Sequence, residues 1–284
     1  MQIGRRAAIA MLATGLLAGA ALAAEPVALK TTEFGQGPAI VLVHELGSGR
    51  MSWMPIARRL MGRYHVVMVD LPGHGESAMP EAFTFQAAAE ALDRVLARQK
   101  PDSTVLAGLG VGGVIALYET SAHPERLRGV IELAAAARSP MTIPDQMRQG
   151  FLQHIEEHYD DFLKTFFAEL GRDSAQKVAV HAQAALVAPA TMKAYLHELL
   201  VLDATGAAKN LRVPLLYIGG DKSWPAEQGW PERAKKLGYD ETPDATGRRI
   251  GASGHYVALD QPDSVATAIA DFARRVLGPP AAKK

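Results

Sequence analysis

Short apolar runs that alternate with helical patterns constrain the fold of this chain more than any other feature. Strands of a parallel sheet are buried on both faces, so they read as continuous apolar runs rather than as an apolar–polar alternation. Longer amphipathic stretches separate the runs, as helices do between parallel strands. We therefore predict an α/β fold with a mostly parallel sheet covered on both faces. The strand-like runs occupy residues 39–44, 65–70, 103–108, 127–137, 213–220 and 247–254.

The segment between the fourth and fifth runs has a different pattern. Residues 138–212 contain no strand-like run and consist of amphipathic helical stretches. A segment of this length is too long for a structureless loop inside a compact domain, so we predict a helical insertion that lies over the sheet. We expect its aromatic residues to pack in a core rather than to contact a cofactor; they are Phe151, Tyr159, Phe162, Phe166 and Phe167.

Composition and charge exclude several classes of function. Lysine plus arginine and aspartate plus glutamate number 30 each, so no basic surplus is available to bind nucleic acid or an anionic membrane. The absence of cysteine excludes disulfides, thiolate metal sites and a cysteine nucleophile. The stretch "GLGVGG" matches part of a phosphate-binding pattern but lacks the acidic residue expected about 20 positions later at a strand end. We therefore predict no nucleotide, flavin, metal or other cofactor.

The first residues have the layout of a secretory signal. Arg5 and Arg6 precede an apolar run over residues 7–22, and the small residues around Ala23 offer a cleavage site. The alternative is an uncleaved membrane anchor, but the run is shorter than the roughly 20 residues of a spanning helix. We predict a cleavable signal peptide over residues 1–24, export by the Sec or twin-arginine route, a periplasmic location and no membrane span in the mature chain.

Six stretches match, in order and spacing, the motifs of a known family. On these stretches the chain resembles the α/β-hydrolase fold family, and the likeness extends over nearly all of the sequence after residue 24. The resemblance implies a core of residues 25–137 and 213–284, with a helical cap of residues 138–212 inserted after the sixth strand of the family's sheet. It also implies descent from serine hydrolases of small ester-like or apolar substrates. The matching stretches are "VLVHELGSGRMSW", "VDLPGHGES", "AGLGVGG", "AHPERLRGVIEL", "VPLLYIGGDKSWP" and "GASGHYVALDQP".

The motif that carries the family's nucleophile is changed at its centre. The family's pattern is G-x-S-x-G, and this chain has Gly108 and Gly112 at the flanks with Gly110 in the middle. A serine there adopts a positive φ at a cost of about 1–3 kcal/mol, which glycine avoids. We therefore expect Gly110 to keep the turn and to remove the hydroxyl. In a serine protease the loss of the serine removes about six orders of magnitude of turnover, so conventional acyl-enzyme catalysis is not expected.

The loop that forms the oxyanion hole also departs from the family. The resemblance assigns the two backbone N–H donors to Leu46 and Val111, and backbone donors survive changes of side chain. The family has His-Gly before the first donor, whereas this chain has His44-Glu45. We expect both residues at the pocket, where the carboxylate of Glu45 adds bulk and negative charge that oppose ester chemistry.

The general base matches the family better than its acid partner does. His255 lies in "SGHYVALDQP" at the family's distance from the C-terminus. The resemblance offers Asp221 as the carboxylate that orients it, with a turn aspartate as the alternative, because Lys222 stands at the other position where an aspartate is expected. Glu132 lies within an apolar strand, and a buried carboxylate there needs a partner that the sequence does not identify.

Three functions remain open at this stage. The leading prediction is an exported protein that has lost serine catalysis and keeps its pocket for a small apolar or ester-like ligand, or for a protein partner of unknown identity. The first alternative is an enzyme that uses His255 as a base without a covalent intermediate. The second alternative is an active esterase with a displaced serine, although helix capping, loop structure or turn chemistry explains each candidate serine. These serines are Ser48, Ser52, Ser77 and Ser253.

Overall fold

The computed structural model describes residues 27–139, 141 and 143–278, and a seven-stranded sheet forms the centre of this part of the chain. The strand order is β1-β3-β2-β4-β5-β6-β7, with β1 antiparallel to β3 and every other pair parallel. The strands are β1 Thr31–Phe34, β2 Ala39–Val43, β3 His65–Val69, β4 Thr104–Leu109, β5 Gly129–Leu133, β6 Leu215–Gly219 and β7 Ala245–Arg249.

Helices follow most of the strands, as expected for parallel connections. Short 3₁₀ turns are present at Arg50–Trp53, Pro101–Ser103 and Pro124–Arg126. The α-helices are α1 Met54–Leu60, α2 Phe85–Leu96, α3 Val111–Ala122, α4 Asp145–Glu157, α5 Tyr159–Leu170, α6 Ser174–Ala184, α7 Pro189–Leu200, α8 Thr205–Lys209, α9 Trp230–Leu237, α10 Val257–Asp260 and α11 Pro262–Leu277.

Helices cover the sheet on both faces. Every residue of β2, β4, β5 and β6 is buried, which a sheet with one wet face does not allow. In β5, a Cβ on Gly129 would meet Phe272 of α11, whereas the Glu132 side chain reaches Gly113 of α3. Positions 129 and 132 point to opposite faces because side chains alternate along a strand. The predicted mostly parallel, doubly covered α/β fold is therefore confirmed.

Some details of the prediction differ from the structure. The strand β1 was not predicted, because its sequence, Thr-Thr-Glu-Phe, is too polar to read as a buried strand, and its position at the sheet edge explains that polarity. Helices α4 to α8 lie between β5 and β6, so the helical insertion follows the fifth strand of the described sheet. Residues 1–24, predicted as a signal peptide, lie outside the described residues. The division into a core and a cap remains a prediction.

Candidate active site

The turn from β4 into α3 has the sharp geometry expected around a nucleophile. Gly110 has φ 53° and ψ −115°, and α3 begins at the next residue, Val111. The Gly110 N–H donates to the carbonyl of Leu133, 2.8 Å away, which fixes the turn against β5. At Gly112, a Cβ would lie 2.6 Å from the carbonyl oxygen of Val43, so only glycine permits this approach of helix and strand. The elbow is thus preserved while its side chain is absent.

Two buried histidines hold the loop over residues 44–47 in place. The Nε2 atom of His44 accepts the N–H of Leu71 at 3.0 Å, and the Nε2 atom of His74 accepts the N–H of Gly47 at 3.1 Å. Burial and the neighbouring His74 lower the pKa of His44 to about 3, and burial lowers the pKa of His74. Both rings are therefore neutral and act as hydrogen-bond bridges. His44, predicted at the pocket, lies behind the loop and is not among the residues that line the cavity described below.

The side chain of Glu45 fills the centre of the site. Its Oε1 accepts the N–H of Leu46 at 2.6 Å and the N–H of Val111 at 3.0 Å, which are the two predicted oxyanion donors. Its Oε2 lies 2.5 Å from Nε2 of His255. A Cβ built on Gly110 would overlap Oε2 and lie only 2.6 Å from Oε1. The carboxylate therefore occupies both the predicted oxyanion donors and the space of a side chain at position 110.

This arrangement satisfies a carboxylate that is almost entirely removed from solvent. Only 5% of the Glu45 side chain is exposed, and a buried charge is costly unless hydrogen bonds compensate it. Two backbone N–H groups and the ring N–H of His255 supply that compensation. The same three donors are then unavailable to a substrate carbonyl while Glu45 stays in place. The assignment of Leu46 and Val111 as a substrate's oxyanion donors remains a prediction.

The expected partnership between Asp221 and His255 is not formed. Asp221 pairs with Arg249 at the end of β7, and nearly half of its side chain is exposed. The Arg249 guanidinium draws this carboxylate to the surface, away from the His255 ring. At the other candidate position, Lys222 donates to the carbonyl of Gly171 at 3.0 Å and so ties the loop to the helical segment. Among the described residues, Glu45 is the carboxylate that contacts His255.

A cavity of about 510 Å³ opens beside Glu45 and His255. Its walls are mainly apolar and come from the elbow, from the loop after β5, from α5 and α7, and from β6 and α9. Phe162 and Phe166 of α5 pack against the hydrophobic core as predicted and also line the cavity, while Phe167 is buried as predicted. Its volume and apolar lining are typical of sites for small molecules.

Tyr217, Ser223 and Arg233 are among the polar residues of the cavity wall that sequence reasoning missed. Tyr217 and Ser223 lie in the matching stretch "VPLLYIGGDKSWP", on β6 and the loop after it, whereas Arg233 lies on α9, outside the matching stretches. Ser223 accepts the N–H of Gly220 at 3.0 Å. No hydrogen bond joins Ser223 to His255 in the described part of the chain, so this serine is not paired with the base.

The four serines considered from sequence stay outside the cavity wall. Ser77 donates to the carbonyl of Asp70 at 2.9 Å, and Ser253 donates to the carbonyl of Ile250 at 2.6 Å. Both hydroxyls are thus used in loop structure.

Glu132 is fully buried and neither of its carboxyl oxygens has a hydrogen-bond partner among the described residues. Burial raises its pKa well above the usual value, so it is held as a neutral acid.

The fold, the elbow and the histidine loop together define a class of protein. A family model described as "Alpha/beta hydrolase family" matches residues 40–268, which is most of the chain. The chain belongs to the alpha/beta hydrolase family. In the described residues, no helix is long and apolar enough to cross a membrane.

Several similar proteins are named as esterases. A pimeloyl-[acyl-carrier protein] methyl ester esterase of Pseudoalteromonas atlantica is 32% identical over 157 residues, 52% of this chain and 59% of that protein. An esterase of the same name from Aeromonas hydrophila is 30% identical over 207 residues, 68% of this chain and 80% of that protein. A thermophilic esterase from Thermogutta terrifontis shares the fold with a TM-score of 0.73 at 23% identity, over 88% of this chain and 94% of that one. The match to the first relative thus spans about three fifths of its length.

Proposed function

We propose that this protein binds a small, largely apolar or ester-like ligand in the cavity beside Glu45 and does not perform serine-dependent ester hydrolysis. One observation carries the proposal: the Glu45 carboxylate occupies both oxyanion donors and the space of the missing nucleophile. Acyl transfer needs those donors for the charge that develops on the substrate's carbonyl oxygen. A carboxylate in that place opposes the reaction, while the apolar cavity beside it stays open to a ligand.

The ligand class follows from the cavity wall and from the relatives. Apolar side chains such as Leu46, Val114 and Phe166 form most of the lining. Two relatives are named as methyl ester esterases, which supports an ester-like ligand within this class. The N-terminal pattern of Arg5, Arg6 and the following apolar run supports export to the periplasm with cleavage after Ala23 or Ala24. N-terminal sequencing of protein released from the periplasm tests that part of the proposal.

A neutral fluorescent probe, 1-N-phenylnaphthylamine, tests binding in the full chain. We expect saturable fluorescence enhancement with the wild type and its loss in Ala136→Phe, because Ala136 lines the cavity and phenylalanine fills it. Ala182→Phe is the matched control, since Ala182 is exposed on α6. A fluorophosphonate should leave the wild type unlabelled. Mass spectrometry identifies any residue that the fluorophosphonate modifies. A labelled serine contradicts the loss of serine catalysis and supports the alternative of an active esterase with a displaced serine.

A second candidate function rests on the contact between Glu45 and His255. A carboxylate and an imidazole 2.5 Å apart at the wall of an apolar cavity form an acid–base pair that could take a proton from a bound substrate or water. Because Nε2 of His255 is engaged with Oε2, Glu45 is the group that would first accept the proton. This candidate is favoured over simple binding if the wild type turns over an ester without being labelled by a fluorophosphonate. The turnover should then disappear in both Glu45→Gln and His255→Gln.

A further inference from the structure

The cavity wall contains two buried hydrogen-bond donors that lack partners. The hydroxyl of Tyr217 and the Nε–H of Arg233 are both buried, and neither has a hydrogen-bond partner among the described residues. Both residues line the same cavity. Buried polar groups are nearly always hydrogen-bonded, so two unsatisfied donors in one cavity wall call for an acceptor from outside the chain. We propose that Tyr217 and Arg233 form a subsite for the carboxylate of an apolar carboxylic acid.

The positions of the two residues in the fold support a shared subsite. Tyr217 lies in β6 with its ring stacked on Trp230, 5.7 Å between centroids, which fixes the direction of its hydroxyl. Arg233 lies on α9 one turn before Leu237, and both project into the cavity. Burial raises the pKa of the Tyr217 hydroxyl, and the side chains of Ser223 and Arg233, which lie close to it without completing a hydrogen bond, oppose that rise. The tyrosine therefore keeps its proton and can donate it.

Charge in the rest of the cavity does not compensate Arg233. The two ionisable groups at the elbow, Glu45 and His255, are bonded to each other. Glu169, the remaining acid in the wall, lies on the exposed side of α5. A guanidinium with no acidic partner in the described chain attracts an anion, and its planar fork of donors matches the two oxygens of a carboxylate.

The remaining lining identifies the rest of the ligand. Phe162, Phe166 and Leu170 make the α5 part of the cavity wall mainly apolar, with Thr165 and Glu169 beside them, and this wall suits an alkyl or aryl body. The inference rests on the proposed binding function and adds the chemical class of the ligand. It places the acid group at Arg233 and directs the apolar body along the wall formed by α5.

Calorimetric titration of the full chain with octanoate and with 1-octanol tests the subsite. The two ligands share their alkyl chain and differ in the carboxylate. We expect Arg233→Gln to weaken octanoate binding by about tenfold or more, as for the loss of a charged hydrogen bond, and to leave octanol binding unchanged. Tyr217→Phe, which keeps the stacked ring, should weaken octanoate binding by a smaller factor. Lys235→Gln is the matched control, because Lys235 is an exposed cation on the same helix.

The outcomes separate the subsite from the binding function itself. The subsite is overturned if Arg233→Gln and Tyr217→Phe both bind octanoate with unchanged affinity and thermal melting shows that both variants are folded. That outcome leaves the proposed ligand binding intact. An equal loss in Lys235→Gln also overturns it, because the effect is then long-range charge. If neither octanoate nor octanol binds the wild type, while 1-N-phenylnaphthylamine does, the carboxylic acid class is wrong. If none of the three binds, the proposed function fails.

Discussion

Restoring the nucleophile alone should damage the protein more than it helps catalysis. In Gly110→Ser, the new Cβ requires the space that Oε2 of Glu45 occupies, and the residue must adopt φ near 53°. The backbone strain costs about 1–3 kcal/mol. The displaced Glu45 also loses its hydrogen bonds to Leu46, Val111 and His255, and a hydrogen bond to a charged group contributes about 1.5–3 kcal/mol. The three bonds share one carboxylate and do not add, so we expect a net loss of about 3–6 kcal/mol, the strain plus one such bond.

Removing the carboxylate in the same chain should recover part of that loss. Glu45→Gly plus Gly110→Ser removes the hydrogen bonds of the carboxylate together with the cost of burying its charge, so we expect a smaller loss, near the strain of about 1–3 kcal/mol. For a chain of this size each kcal/mol lowers the Tm by roughly 2–4 °C, so thermal melts resolve the two variants. The double variant also frees the N–H groups of Leu46 and Val111 for a substrate oxyanion.

Fluorophosphonate labelling is the more sensitive assay of restored chemistry. His255 lacks an Asp221 contact, and in subtilisin the loss of the acid alone lowers kcat by about 3 × 10⁴-fold. We therefore expect slow labelling of the introduced serine in the double variant, with at most a weak burst on p-nitrophenyl butyrate, and still less reaction in the single variant. Equal labelling and equal Tm in the two variants would refute the idea that Glu45 fills the site.

Two further predictions concern buried titratable groups and are read from urea unfolding as a function of pH. Burial and Asp93 raise the pKa of Glu119 to about 8. In the folded state Glu119 therefore keeps a proton that it releases in the unfolded state once the pH exceeds the ordinary pKa of a glutamate. The free energy of unfolding consequently falls as the pH rises towards 8. Glu119→Gln should remove about 2–3 kcal/mol of the decline in the free energy of unfolding between pH 5 and pH 7. An unchanged slope of that free energy against pH contradicts this. His44 has a lowered pKa of about 3, so stability is full above pH 6.5 and falls as acid protonates the unfolded state. His44→Gln should lower the free energy of unfolding at pH 7.5 and should reduce its decline from pH 6.5 to pH 5 by about 2 kcal/mol. An unreduced decline contradicts this and means that His44 is charged in the folded state.

The sequence was most informative where burial dictates residue type. Continuous apolar runs such as Val66–Val69 have one stable environment, a sheet covered on both faces, so the fold followed from the pattern. Strand β1 was not predicted, because a strand at the sheet edge tolerates polar residues and so lacks the continuous apolar run of a buried strand. The elbow was predictable too, since Gly110 adopts the positive φ that its position demands. These features depend on local sequence and on burial alone.

The chemistry within the site was less predictable, because it depends on which side chains meet. Sequence suggested that Glu45 would bring charge to the oxyanion loop, but not that one oxygen would reach both N–H donors and the other His255. Asp221 is attracted by Arg249, 28 residues later, and no motif marks that pair. Arg233 and Tyr217 come from separate elements, so their meeting in one cavity wall is a property of the fold.

Glu45 and Gly110 depend on each other, because the carboxylate occupies the space that any side chain at position 110 would need. A carboxylate at position 45 cannot reach its present place while residue 110 carries a Cβ, because the two would overlap. With glycine at 110 and glycine at 45, the Leu46 and Val111 donors would instead face the open cavity. The observed position of Glu45 therefore requires glycine at 110, and a serine at 110 would be opposed by both overlap and charge. The site is consequently a satisfied carboxylate centre with its own hydrogen-bond set, and not a serine site that lacks only one hydroxyl.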